Sequence, residues 1–286
     1  MKDVLVTGAN GHLGYNIAQA LLEKGYRVRA SVRDATDRSK TDHLRAIGVD
    51  VVEADLMRPD ALRRAMEGVD GLFPVAAVYN LTSRNPEKAG REPILRGSLN
   101  ALQAAKDAGI KKVIYTSSGA AVGTVAAGEA PLTEKDWNDR AIEPYARAKM
   151  EAERQAWEFA REAGLNLVTI LPGSIIGPGF HRHTPTTVAF ELLLRGKVPV
   201  VLPLAFTFVD VRDVARAHLL AYENPAASGR YIVSDRSCSM AELFAMVEEM
   251  DPTVRVPRAR LSERLLPLVP VLDWLGNLLS GTPRFA

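Results

Sequence analysis

Tyr145 and Lys149 stand four residues apart, and Ser117-Ser118 lies upstream of them. On a helix that spacing puts the phenol and the amine on one face. An unperturbed phenol titrates near about 10, too high for easy proton exchange at neutral pH. A fixed ammonium beside it favours the phenolate and makes the tyrosine a general acid/base for a carbonyl/alcohol pair. A hydroxyl from Ser118 then holds and polarises the carbonyl oxygen. At the other end of the chain, Thr7-Gly8-Ala9-Asn10-Gly11-His12-Leu13-Gly14 carries Gly8, Gly11 and Gly14 at the spacing of a dinucleotide turn. Glycines there allow backbone amides to approach a pyrophosphate resting on the positive end of a helix. Each pattern alone is weak; in this order they specify a nucleotide cofactor and a proton donor at one edge of a sheet.

The choice of dinucleotide falls to the residues about 20 past the glycines, where a carboxylate binds a ribose 2′-hydroxyl and an arginine accepts a 2′-phosphate. Arg33 holds that place, with Arg38 and Lys40 following. NADP(H) is therefore expected over NAD(H), with Asp34 as the counterargument. Asp55-Leu56 could meet an adenine, or Asp55 could cap a turn. Asn10, His12, Leu13 and Thr116 complete the expected cofactor set.

Those side chains need a scaffold. Strand-like segments at Asp3–Thr7, Arg27–Val32, Val49–Glu53, Leu72–Ala77, Lys112–Thr116 and Asn166–Leu171 alternate with helical ones at Leu13–Lys24, Thr41–Ile47, Pro59–Glu67, Glu92–Ala108 and Ile142–Ala163. Glycines at 25, 48, 68, 109 and 164 stop the helices. This βαβ alternation predicts an α/β fold, a doubly wound parallel sheet of the Rossmann type. After Pro172 the pattern loosens into a Gly/Pro/His-rich loop, a helix near Thr187–Arg195, a short strand near Val198–Leu202, an extended Phe206–Asp210, a helix over Val211–Tyr222 and a short strand at Tyr231–Val233. Ser239 and Glu242 have capping-box spacing for a further helix to about Met250. The expected organisation is a nucleotide-binding core over 1–172, rejoined at about 206–224, with a smaller substrate lobe over 173–205 and 225–286.

Composition narrows the partners. Apolar residues make 47% and charged ones 24% of the 286, an ordinary globular balance. A net charge of +2, without basic runs, makes no claim on nucleic acid. The lone Cys238 can form neither an internal disulfide nor a thiolate cage, which fits a reducing cytoplasm. No segment reaches the roughly 18 uninterrupted apolar residues of a membrane span. Leu265 to Leu279 is read as buried lobe or, alternatively, as membrane-surface contact. No metal is expected, since His181 and His183 lack a carboxylate at ligand spacing; either could touch substrate or simply lie on the surface. Asp210 and Asp213 are expected to cap a strand–helix junction, and Trp137 and Tyr79 to wall a pocket or fill a core. A monomer or a homodimer is expected, with Glu92–Ala108 and Ile142–Ala163 pairing between subunits or within one.

The chain resembles the extended short-chain dehydrogenase/reductases, in particular their dihydroflavonol-reductase and cinnamoyl-CoA-reductase branch with its bacterial aldehyde/ketone reductase relatives. The resemblance rests on Val4–Gly14, 28–34, 53–56, 93–100, Val113–Ser118, Tyr145–Lys149, Leu171–Pro178 and 208–215. It implies a Ser118–Tyr145–Lys149 triad, Arg33 and Lys40 on the 2′-phosphate, and Val75, Ala76 and Ala77 beside the cofactor. It further implies Lys149 on the nicotinamide ribose, Pro172, Gly173 and Ser174 along the carboxamide, and hydride transfer from NADPH to a carbonyl. Tyr79, Ser118, Gly119 and His181 are the candidate substrate contacts. Pro74 departs from the histidine common in relatives, and the loop 78–81 points to no particular substrate. The rival enzymes are an NDP-sugar epimerase or dehydratase and a 3β-hydroxysteroid dehydrogenase; the rival outside catalysis is an NADP-sensing binding protein.

Overall fold

The computed structural model describes residues 2–76, 90–126, 128–181, 183–262 and 265. Seven strands form the main sheet: β1 (Asp3–Thr7), β2 (Arg27–Val32), β3 (Asp50–Glu53), β4 (Gly71–Pro74), β5 (Lys112–Thr116), β6 (Asn166–Pro172) and, late in the chain, β9 (Gly229–Val233). Their spatial order is β3-β2-β1-β4-β5-β6-β9, every pairing parallel. The helices are α1 (His12–Glu23), α2 (Arg38–Ala46), α3 (Pro59–Met66), α4 (Glu92–Asp107), α5 (Pro144–Ala163), α6 (Pro185–Leu194), α7 (Val211–Glu223) and α8 (Met240–Met250). β7 (Ser174–Ile176), β8 (Ala205–Asp210) and β10 (Arg236–Ser239) complete the strands.

A strand sends alternate side chains to opposite faces, and here each face meets helices. Val4, Val6, Ile114, Val168 and Ile170 point into one core with Ile17 and Leu21 of α1, Leu44 of α2 and Val214 of α7. Leu5, Val113, Tyr115 and Leu167 point into the other with Leu62 of α3, Leu102 of α4 and Ala156 of α5. Burial on both faces explains why the strands read as nearly continuous apolar runs. α4 and α5 lie against each other within this one chain. The strand order reverses between β1 and β4, and such a reversal opens a crevice at the carboxyl ends of the strands.

Two compact units result, 1–182 with 209–234, and 183–208 with 235–286. The boundaries expected at 172, 206 and 224 therefore shift. Tyr231–Val233, read with the smaller lobe, belongs to the first unit because β9 pairs with β6 from Val168↔Gly229 to Pro172↔Val233. In the second unit, β10 runs antiparallel to β8 with Cys238 opposite Phe206. Leu193, Val201 and Phe244 form its core. The expected capping box is present: Ser239 Oγ accepts from Glu242 N at 3.2 Å, and Glu242 Oε2 accepts from Ser239 N at 2.7 Å. Val198–Leu202 is not a strand; Val201 makes a single bridge to Arg260, because Pro199 and Pro203 have no N–H to donate to a ladder. Among the described residues no helix is long and apolar enough to cross a membrane. The segment 266–279, like Ala77 and Tyr79, lies outside the described residues.

Candidate active site

The cofactor end is built by the turn from β1 into α1. Gly8 has φ +64°, a left-handed conformation that favours glycine. A Cβ on Gly8 would stand 2.7 Å from the Cα of Ala76, and one on Gly14 would strike the carbonyl of Gly8. The turn and the end of β4 are thus packed backbone to backbone. Thr7 Oγ1 fastens them, accepting from both Val75 N and Ala76 N at 3.1 Å. α1 begins after Gly11, which has no side chain to cap the first-turn amides. The orphan donors of a helix start, with the positive end of its dipole, suit a phosphate group. The glycine cradle therefore fits a dinucleotide.

Past β2, Arg33 is exposed and makes no hydrogen bond or ion pair among the described residues. The carboxylate of Asp34 is committed to its own turn, accepting from Thr36 N at 2.9 Å, Thr36 Oγ1 at 2.6 Å and Asp37 N at 3.2 Å. Those hydrogen bonds, chiefly from Thr36, hold it below the usual carboxylate range. Lys40 pairs with Asp37. Asp55 caps its turn, accepting from Met57 N at 2.8 Å, while Leu56 packs over the position a Cβ of Gly97 would take.

His12 is buried and faces away from solvent: its Nε2 donates to Pro178 O at 3.0 Å, and its ring meets Phe180 edge-on at 5.8 Å. Asn16 Nδ2 donates to the same carbonyl at 3.2 Å. His181 stacks on His43 at 4.1 Å and meets Tyr15 edge-on at 4.6 Å. The loop after β7 is thereby latched onto α1 and α2. His181, a candidate substrate contact, is exposed there.

The chemical end lies where β5, β6 and α5 converge. Glu143 caps α5, accepting from Tyr145 N at 3.0 Å and Ala146 N at 2.6 Å, with Pro144 in the first turn and Gly164 in a left-handed cap at the end. Tyr145 is half-buried against Ile94, Leu95, Ala148 and Ala152. Lys149, 3% exposed, donates from Nζ to Thr116 O at 2.9 Å. Burial pushes its ammonium down to about 8, opposed by the carboxylate of Glu153. Ser118 follows the strand end and caps the short 3-10 turn Gly119–Ala121, its Oγ accepting from Ala120 N at 3.2 Å. A Cβ on Gly119 would lie 3.3 Å from Pro172 O, so the Ser118 turn abuts the start of the Pro172-Gly173-Ser174 segment. Gly173 N donates to Val233 O at 3.1 Å.

Three buried polar residues behind this site were not singled out from the sequence. His218 on α7 donates from Nδ1 to Val214 O at 2.8 Å, because a carbonyl can only accept. Its Nε2 must then accept the Thr116 hydroxyl, also 2.8 Å away. Burial pushes His218 down to about 4. Glu153, 0% exposed, accepts from Ser117 Oγ at 2.7 Å and Thr169 Oγ1 at 2.8 Å, and forms an ion pair with Arg230 at 2.9 Å. Glu153 was detectable, since it continues the four-residue spacing of Tyr145 and Lys149. Arg230 carries no local signal. Asp210 caps α7 as expected, accepting from Arg212 N at 2.8 Å.

Residues 4–233 match the NAD dependent epimerase/dehydratase family, and the chain belongs to it, the extended branch of the short-chain dehydrogenases/reductases. It is similar to cinnamoyl-CoA reductase CAD2 of Medicago truncatula, with 33% identity over 94% of this chain and 86% of that protein. Among solved structures it is similar to vestitone reductase of alfalfa, Medicago sativa, with a TM-score of 0.73, 27% identity and coverage of 94% and 92% of the two chains. It is also similar to UDP-glucose 4-epimerase of Thermotoga maritima, with a TM-score of 0.76, 26% identity and coverage of 91% and 85%.

Proposed function

We propose that the chain is an NADPH-preferring oxidoreductase that interconverts a carbonyl and an alcohol, with Tyr145 as general acid/base. One observation carries the reading: Lys149, buried and bonded to Thr116 O at 2.9 Å, brings the face of α5 that bears Tyr145 to the strand end that bears Ser118. A reduced nicotinamide dinucleotide supplies the hydride when bound. The glycine turn holds its pyrophosphate, and Arg33 with Lys40 binds the 2′-phosphate, for which a guanidinium fork is suited. Val75 and Ala76 flank it, and Pro172 to Ser174 line its carboxamide. Ser118 donates a hydrogen bond to the carbonyl oxygen, which gains negative charge as the reaction proceeds. The Tyr145 hydroxyl gives its proton to that oxygen. Lys149, charged at neutral pH, steadies the phenolate left behind. The similarity to cinnamoyl-CoA reductase supports the direction of reduction.

The similarity to an epimerase favours a second reading, in which the cofactor is oxidised and restored within one turnover. Net consumption of cofactor separates the two. The test is a panel of aldehydes and ketones, including benzaldehyde, phenylglyoxal and isovaleraldehyde, followed by NADPH absorbance and repeated with NADH. Tyr145→Phe is expected to lose about a hundredfold to ten-thousandfold in kcat while still binding NADPH. Arg33→Ser is expected to cut the preference for NADPH by about tenfold to a hundredfold, the value of a charge-assisted hydrogen bond. Undiminished turnover in Tyr145→Phe would overturn the mechanism. A UDP-sugar converted without net cofactor change would favour the epimerase.

A further inference from the structure

Ser118 sits in the short segment 117–121, so its direction depends on what holds that segment at both ends. At the near end, Ser117 Oγ donates to Glu153 Oε2 at 2.7 Å. At the far end, Asn138 donates from its backbone N to Ala121 O and from Nδ2 to Ala120 O, each at 2.9 Å. Both holders lead to one residue. Arg230, on β9, gives Nε to Glu153 Oε1 at 2.9 Å and Nη2 to Glu153 Oε2 at 3.3 Å. Its Nη1 donates to Glu134 O at 2.7 Å and Asp136 O at 2.6 Å. Its guanidinium lies 3.7 Å from the ring centre of Trp137, the neighbour of Asn138. The side chains of Arg230 and Glu153 are 8% and 0% exposed. The contacts close a circuit from Ser117 through Glu153, Arg230, Trp137 and Asn138 back to Ala121.

We infer that Arg230 is a positioning residue for Ser118: it fixes the strand end and the loop 133–138 against each other and so aims the hydroxyl that meets the carbonyl oxygen. The inference rests on the role proposed above for Ser118. Arg230 is suited to it because a planar fork can serve a carboxylate, two carbonyls and a ring face together. A lysine cannot, although it keeps the charge opposite Glu153 and so avoids an orphaned buried carboxylate. A buried ion pair that only holds the sheet together predicts lost stability with unchanged chemistry. An aiming role predicts lost chemistry that depends on the group being aimed.

The test compares Arg230→Lys and Trp137→Leu, each alone and combined with Ser118→Ala, at a temperature where melting curves show every variant folded. The probe is reduction by NADPH of phenylglyoxal, or of the member of the panel above that turns over fastest. Arg230→Lys is expected to lower kcat by about tenfold or more, since small misplacements of reacting groups cost up to about a hundredfold, while KM for NADPH stays within about twofold. Trp137→Leu shifts kcat the same way to a smaller degree and carries the comparison if Arg230→Lys does not fold. In the Ser118→Ala background either substitution adds less than about a twofold further loss, the non-additivity of residues acting through one group. A folded Arg230→Lys with parental kcat, or the same loss repeated in the Ser118→Ala background, would sink the inference and leave the assignment of Ser118 standing. An unchanged kcat in Ser118→Ala alone would remove that assignment and this inference with it.

Discussion

On the proposed mechanism, Lys149 is the residue whose surroundings set the working pH. Burial lowers its ammonium to about 8, and Glu153, one turn further along α5, pulls the other way. Below that value the amine carries its charge; raising the pH through it removes the proton that steadies Tyr145 in the proposed mechanism. In the carbonyl-reducing direction kcat/KM, which reports the free enzyme, is expected to fall along an alkaline limb centred about pH 8. Glu153→Gln withdraws the opposing carboxylate and moves the limb to lower pH. A pH–rate profile whose limb lies near the ordinary lysine value of about 10.4 would contradict this. Spacing reveals Tyr145 and Lys149 as candidates, and the family resemblance selects Ser118 over Ser117. The same arithmetic reaches Glu153, but not its burial, which depends on Thr169 of β6 and Arg230 of β9 arriving beside it. The ring partners of His181 were not legible either, because His43 and Tyr15 stand more than a hundred residues earlier.

At the scale of elements, the β1–α1 turn is the one whose dimensions are fixed by absent side chains. A methyl on Gly14 would meet the carbonyl of Gly8 and the Cα of Ala9, both backbone atoms unable to swing aside. Gly14→Ala is expected to cost about 1–3 kcal/mol of stability through overpacking and to raise the dissociation constant of NADPH as the turn opens. Thermal unfolding and a fluorescence titration measure the two effects; parental values in both would refute the packing argument. The turn was legible because its glycines fall between an apolar strand and an amphipathic helix. α5 was legible too, although it starts at Pro144 rather than Ile142 because Glu143 caps it. β10 was not, since Arg-Ser-Cys-Ser has no apolar alternation and is a strand only through its partner β8. β7 is three residues long in a stretch rich in glycine and proline, too short for any period to register.

For the whole molecule, His218 sets a limit on acid stability. It is buried neutral, donating to Val214 O and accepting from Thr116, with its proton affinity lowered to about 4. Above the unfolded value of about 6.5 neither state binds the extra proton, and no penalty exists. As the pH falls further the unfolded chain takes a proton that the folded one refuses, so stability drains away between about 6.5 and 4. The loss amounts to about 3 kcal/mol. His218→Gln, which keeps a donor and an acceptor but does not titrate, is expected to narrow the gap between urea midpoints at about pH 7 and pH 4.5. An equal gap in both proteins would exclude His218 as its source. The doubly wound plan at this scale follows from strand–helix alternation in the sequence. The return of 209–234 to the first unit was legible only up to α7, because Gly-Arg-Tyr-Ile-Val reads equally well as a strand of either unit.

That late return has a consequence for how the protein matures. When a nascent chain has cleared the ribosome as far as β6, it already holds the phenol, the amine and the serine, yet the guanidinium of Arg230 is still unmade. On the roles proposed above, vectorial synthesis delivers the reactive groups first and their brace afterwards. On those same roles, catalytic competence would wait on the closing edge strand rather than on the last reacting side chain.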